Sequence, residues 1–164
     1  MVRNRSTSVK GSDDDPRSVP TNVLFNAWLV SRAVTELVDR AVADAGIAGD
    51  DFAIYSLLVA GPITPTELAA WMAAPPTTIS SFVKRFEARG HVRREPNPDD
   101  RRSYRIGLTT AGREAHRRAG EQFLPVLAEV EETLGRSEPT VLRALASLRD
   151  ALDQARSAAG GSAG

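Results

Sequence analysis

The chain contains no cysteine, which excludes disulfides, thiolate metal sites and thiol redox sensing, and fits a protein of the cytosol. Aromatic residues are scarce at 5%, so leucine, valine and alanine must build the core. No apolar run reaches the roughly 18 residues that a membrane-spanning helix needs, and no membrane contact is expected. The opening stretch MVRNRSTSVKGSDDDPRSVP has no apolar centre and does not read as a signal peptide. His91 and His116 are the only histidines, so a zinc site would need several carboxylates, and no metal is expected. The paired acids Asp50–Asp51 and Glu131–Glu132 have no histidine or serine at a suggestive spacing. Nucleophile motifs, phosphate loops and dinucleotide fingerprints are also missing, so neither an enzyme nor a cofactor is expected.

Net charge is missing as well: 21 basic residues balance 21 acidic ones. The balance is global only. Between Lys84 and Arg105 lie eight basic residues and four acidic ones, so that span carries 8 − 4 = +4 and the remainder −4. Local field rather than total charge governs attraction to a polyanion, although a charged run can equally be a solvated surface.

Residues 1–19 are polar and read as a mobile arm, and residues 157–164, SAAGGSAG, as a flexible tail. From 20 to about 45, Leu24, Trp28, Val34, Leu37, Val38 and Ala41 recur at helical spacing. A second helix fits 50–60. Thr64 as N-cap, Pro65 at the first helical position and Glu67 three residues on predict a third, over about 65–73. A fourth should cover 76–89, burying Ile79, Phe82, Val83 and Phe86 and ending at Gly90. The period then changes: Tyr104, Ile106 and Leu108 alternate with Ser103, Arg105 and Gly107, VRRE is the partner strand, and PNPDDR is the turn. Thr109 caps a helix over 110–134, with a kink expected near Pro125, and Ser137 caps a last one over 138–156.

This order predicts a mainly α fold: a winged helix-turn-helix at 50–109 with a small antiparallel β-hairpin as wing. Long helices at 20–49 and 110–156 flank it as a dimerisation region. Phe123, Leu127, Val130 and Leu134 are spaced 4-3-4, and Val141, Leu145, Leu148, Leu152 and Ala155 are spaced 4-3-4-3. These are seams for helix packing, within the chain or between two copies.

The wet face of the fourth helix carries Thr77, Ser81, Lys84 and Arg85, with Thr78 nearer the edge. Small hydroxyls suit a major groove, and Lys84 and Arg85 suit phosphates. Arg101 falls at the wing tip, where a guanidinium fits a narrow minor groove, and Arg94 and Arg105 point outward from the strands. Asp100 and Arg102, two apart, are expected to pair and stiffen the wing.

The stretch TELAAWMAAPPTTISSFVKRFEARGHVRREPNPDDRRSYRIGLTTAGR resembles the MarR family of transcriptional regulators, through ELA, TTIS, FEARGHV, DDRR and LTTAGR. The resemblance is strong over about 64–113. It implies a homodimer that binds double-stranded DNA at pseudo-palindromic operators, and release by a small, often aromatic or anionic, effector. Carried over by position, DNA reading falls to Thr77, Thr78, Ser81 and Lys84, the anchor is Arg85, and the wing uses Asp100, Arg101 and Arg102. This chain departs from the family at Pro75 and Pro76, where a serine or aspartate and then a basic residue are frequent, and at Ser81, where arginine is frequent. Fewer base-facing cations imply more shape readout. Trp28, Phe52 and Tyr55 either line an effector pocket or fill the core, while Trp71 and Met72 read as packing residues. The reading is a cytoplasmic, DNA-binding regulator, a repressor relieved by a small molecule. The alternative is a winged-helix protein-interaction module whose basic face meets an acidic protein.

Overall fold

A computed structural model describes residues 22–161, so the arm at 1–19 and the end of the tail lie outside it. The elements are α1 (Val23–Ala41), α2 (Gly49–Val59), α3 (Pro65–Met72), α4 (Pro76–Ala88), β1 (Val92–Pro96), β2 (Tyr104–Leu108), α5 (Thr110–Leu134) and α6 (Glu138–Gly161). Single 3-10 turns at Ala43–Ala45 and Gly135–Ser137 precede α2 and α6. The mainly helical chain with a two-stranded wing matches the predicted fold.

Local chemistry sets most boundaries. The Thr64 hydroxyl accepts the Glu67 N–H at 3.1 Å, and the Glu67 carboxylate accepts the Thr64 N–H at 2.6 Å, a complete capping box on α3. The Thr64 hydroxyl also donates to the Glu67 carboxylate at 2.8 Å, and the two Thr64 donors, the backbone N–H first and the hydroxyl second, hold the Glu67 carboxyl below its ordinary range. Gly90, at φ +70°, closes α4: its N–H reaches Glu87 O at 2.9 Å, and the His91 N–H reaches Phe86 O at 2.9 Å. That paired pattern needs a left-handed residue, which glycine adopts without steric cost. Thr109 caps α5 by accepting the Gly112 N–H at 3.1 Å, and its hydroxyl donates to Gly90 O at 2.6 Å.

β1 and β2 pair antiparallel from Val92 opposite Leu108 to Pro96 opposite Tyr104. Ile63, between α2 and α3, adds a short bridge: Ile106 N–H donates to Ile63 O at 2.7 Å, and Ile63 N–H returns to Ile106 O at 3.2 Å. The hairpin is thereby tied to the helical lobe.

The chain divides into two units, one ending at Leu37 and one beginning at Val38. This division falls earlier than the residue-49 boundary expected from sequence, because Val42, Ala45 and Ile47 join the core of the second unit. That core holds Ile54, Leu58, Leu68, Ile79, Val83, Phe86, Ile106 and Leu108. It also holds Ala115 and Ala119, so the first half of α5 packs into this lobe. Phe123, expected on a seam, packs against the same core, 5.4 Å from Phe52. Helix α6 runs to Gly161, into the segment expected to be a tail.

In the first unit, Leu24, Trp28, Val34 and Leu37 are exposed; on α6 so are Leu142, Leu145 and Leu152. Among the described residues no helix is long and apolar enough to cross a membrane.

Candidate nucleic-acid interface

Helix α4 begins at consecutive prolines, Pro75 at the cap position and Pro76 at the first turn, with no side-chain cap. Proline costs little there, since those N–H groups lack intrahelical partners. Thr77, Ser81, Lys84 and Arg85 are exposed and Thr78 is half-buried, opposite the buried Ile79, Val83 and Phe86. The Ser81 hydroxyl donates to Thr77 O at 3.0 Å, which leaves its lone pairs outward.

The arginines divide sharply. Arg85 and Arg89, one turn apart on α4, both bind the Asp51 carboxylate, Arg89 at 2.5 Å; Asp51 is buried to 1% exposure. The Arg85 guanidinium also lies over the Phe82 and Phe86 rings, at 4.9 and 5.2 Å. Arg94 makes a forked bond to Glu87, at 2.8 and 3.1 Å, with its guanidinium 4.6 Å from the Tyr104 ring centre. That bond to Glu87 raises the Arg94 pKa above its ordinary value. Arg105 pairs with Asp99 at 2.5 Å, and Arg93 with Glu95 at 2.9 Å. Among the described residues Lys84, Arg101 and Arg102 have no such carboxylate partner.

Several expectations change here. Arg85, Arg94 and Arg105, read from sequence as outward cations, are engaged with carboxylates. Asp100 does not pair with the Arg102 side chain; it accepts the Arg102 backbone N–H at 2.9 Å. The wing ion pair is instead Asp99–Arg105, because the turn directs the Asp100 carboxylate back onto its own backbone. Asn97, 8% exposed, shapes that turn: its amide donates to Ser103 Oγ at 2.6 Å, and its carbonyl accepts the Asp99 N–H at 3.2 Å. Arg101 stays exposed in the turn between the strands.

Phe52 and Tyr55 lie in the buried core. Phe52 stacks on His116 at 5.1 Å, and Tyr55 meets Phe86 edge-on at 4.9 Å. Tyr55 Oη and His91 Nδ1 share a 2.9 Å hydrogen bond. Burial, with the Asp51 carboxylate second, pushes the Tyr55 hydroxyl up to about 12. Burial, then the Arg89 and Arg118 charges, holds His91 below its ordinary value, and burial alone does the same for His116. Trp28 belongs to the other unit, where it is 57% exposed and stacks on Phe25. Trp71, expected to be packed, is 60% exposed, with Arg149 over its ring at 5.9 Å. It borders a cleft of about 420 Å³ between α3 and α6, with Asp150 and Arg156 on the far wall.

Sequence reasoning missed Asp51, Glu87 and Asn97. Asp51 reads as an ordinary acid in a helix first turn, and no spacing rule links it to arginines 34 and 38 positions away.

The MarR family model matches residues 52–104. An uncharacterized HTH-type transcriptional regulator of Mycobacterium bovis is 34% identical over 103 residues, 61% of this chain and 70% of that protein. The Mycobacterium tuberculosis transcriptional regulator MosR, solved in complex with DNA, superposes with a TM-score of 0.71 at 28% identity, covering 82% of this chain and 98% of that one. CouR from Rhodococcus jostii RHA1, solved with p-coumaroyl-CoA, gives a TM-score of 0.68 at 24% identity, over 79% of this chain and 90% of CouR.

Proposed function

The chain belongs to the MarR family and is therefore a DNA-binding transcriptional regulator rather than an enzyme, and we propose that it acts as a homodimeric, cytoplasmic repressor of a pseudo-palindromic operator. One observation carries the reading. The lobe neutralises most cations of its basic stretch internally and leaves free Lys84, beside the Thr77–Ser81 face of α4, and Arg101 and Arg102 on the wing. In this reading Thr77, Thr78 and Ser81 enter the major groove. Lys84 holds a phosphate, Arg101 enters the adjacent minor groove, and Arg102 meets the backbone beside it. Arg85, Arg94 and Arg105 act mainly by fixing the reading surfaces. Two-fold symmetry then sets half-sites about one helical turn, roughly 34–36 Å, apart.

The exposed leucines of α6 and the apolar face of α1 support a second copy as their cover. Release by a small molecule is supported by the ligand-bound CouR structure. The cleft beside Trp71 and Arg149 offers room for an effector. An effector there acts only by favouring one lobe arrangement over another.

Selection of duplexes from a random pool, followed by gel-shift titration against salt, tests the function. Arg101→Ala is expected to weaken binding and lower the salt slope by about one counterion. Failure of the wild-type protein to enrich any sequence would remove the regulator reading and favour a protein-interaction module.

A further inference from the structure

The recognition surface on α4 is held by a carboxylate that lies on another helix. Asp51 sits in the first turn of α2, and its two oxygens are divided between two guanidiniums: Oδ1 accepts from Arg85 and Oδ2 from Arg89. A carboxylate removed from water needs full compensation by partners, and here both come from a single partner helix. Residues four apart share a helix face. Ile79, Val83 and Phe86 already pack α4 on the core, and one bond would add little to that hold at its C-terminal end. Two bonds one turn apart fix both its roll and its position along the axis. Arg85 neighbours Lys84, so this attachment sets the direction in which Lys84, Ser81 and Thr77 point. One turn further along α2, Tyr55 packs on Phe86 of α4 and bonds to His91 just beyond its end.

The pairing has an electrostatic consequence as well. Contacts to phosphate supply nonspecific affinity and carry no sequence information. Two arginines next to the reading face would add nonspecific affinity if they were free.

We propose that Asp51 is a specificity-determining positioning residue, which locks the roll of α4 through Arg85 and Arg89 and withholds both guanidiniums from indiscriminate phosphate binding. This rests on the reading of α4 as the helix that meets DNA. Losing the carboxylate disorders the reading face while freeing two cations. Specific binding therefore falls while nonspecific binding holds or rises, a split that simple destabilisation does not produce.

The test uses the full chain and a duplex that the wild-type protein enriches from a random pool, alongside a scrambled duplex of equal length. Affinities are measured across salt concentrations, well below each variant's melting temperature. Asp51→Asn is expected to lower the ratio of selected to scrambled affinity at least tenfold and to steepen the salt slope on the scrambled duplex by up to about two counterions. Asp51→Glu restores part of the ratio. Should Asp51→Asn not fold, Arg89→Gln, which keeps the Arg85 bond, is expected to lower the ratio less while leaving the protein folded. Equal weakening on both duplexes with an unchanged slope, or an unchanged ratio in Arg89→Gln, would overturn the proposal and leave the regulator reading standing. If the wild-type protein enriches no duplex, the regulator reading fails and the proposal falls with it.

Discussion

The lobe built on α2 to β2 and the long helices at the two ends of the chain meet opposite physical demands. In the lobe most large apolar side chains, Trp71 and Val59 excepted, are at least half-buried, and most arginines have a carboxylate; Asp51, Glu87 and Asp99 each hold at least one. On α1 and α6, side chains of the same apolar types lie open: Trp28 at 57%, Leu142 at 58%, Leu145 at 50%. Helices α1 and α6 leave apolar faces open, and exposed apolar stripes of this kind mark interaction sites. The comparison separates a lobe packed within itself from helices that keep apolar faces open.

Substitutions in one region should therefore leave the other intact. The largest effect is expected at Gly112, where an added Cβ would lie 2.0 Å from the His91 carbonyl oxygen. Gly112→Ala should destabilise the lobe by ~3 kcal/mol or more, seen as a lower thermal midpoint. Gly120→Ala on the same helix meets open space and should gain ~0.5–1 kcal/mol from helix propensity. If both glycines behaved alike, the tight contact between α5 and the end of α4 would be disproved. Next comes Leu145→Glu with Leu152→Glu, which puts charge on the open face of α6. The expected result is a dimer dissociation constant raised ~100-fold, about 2.8 kcal/mol, with lobe helicity retained by circular dichroism. A monomeric wild-type protein in sedimentation would dissolve the contrast itself. Thr109→Ala removes the α5 cap and the bond to Gly90 O, and should cost the lobe ~1–2 kcal/mol in denaturant titration.

The mildest effect is that of acid. His91 and His116 are both held below their ordinary value of 6.5, so the unfolded chain takes up protons first. Stability present above about pH 6.5 is then lost as pH falls through the folded-state values. Thermal midpoints should decline on acidification, and less so in His116→Gln. An unchanged profile in that variant would show that His116 titrates alike in both states.

Much of the lobe is legible in the sequence because its signals are local. Thr64, Pro65 and Glu67 write the start of α3 within four residues, Gly90 writes the end of α4, and the alternation from Tyr104 to Leu108 writes β2. What escaped is nonlocal. The pairing of Asp99 rather than Asp100 depends on the path of the wing turn, which Asn97 and Ser103 set. Helix α2 is apolar around most of its circumference, so periodicity does not reveal that Phe52 and Tyr55 face inward. Trp71 reads as packing by residue type, yet α3 is short and buries only Leu68 fully. The basic face is the plainest case: its residues can be counted from sequence, but which of them are neutralised follows only from the fold.

Arg94 carries one last consequence. It grips Glu87 on α4 from β1 while covering Tyr104 on β2, so helix and wing share a rivet. Moving the wing against α4 would have to break both Arg94–Glu87 bonds and the contact with Tyr104.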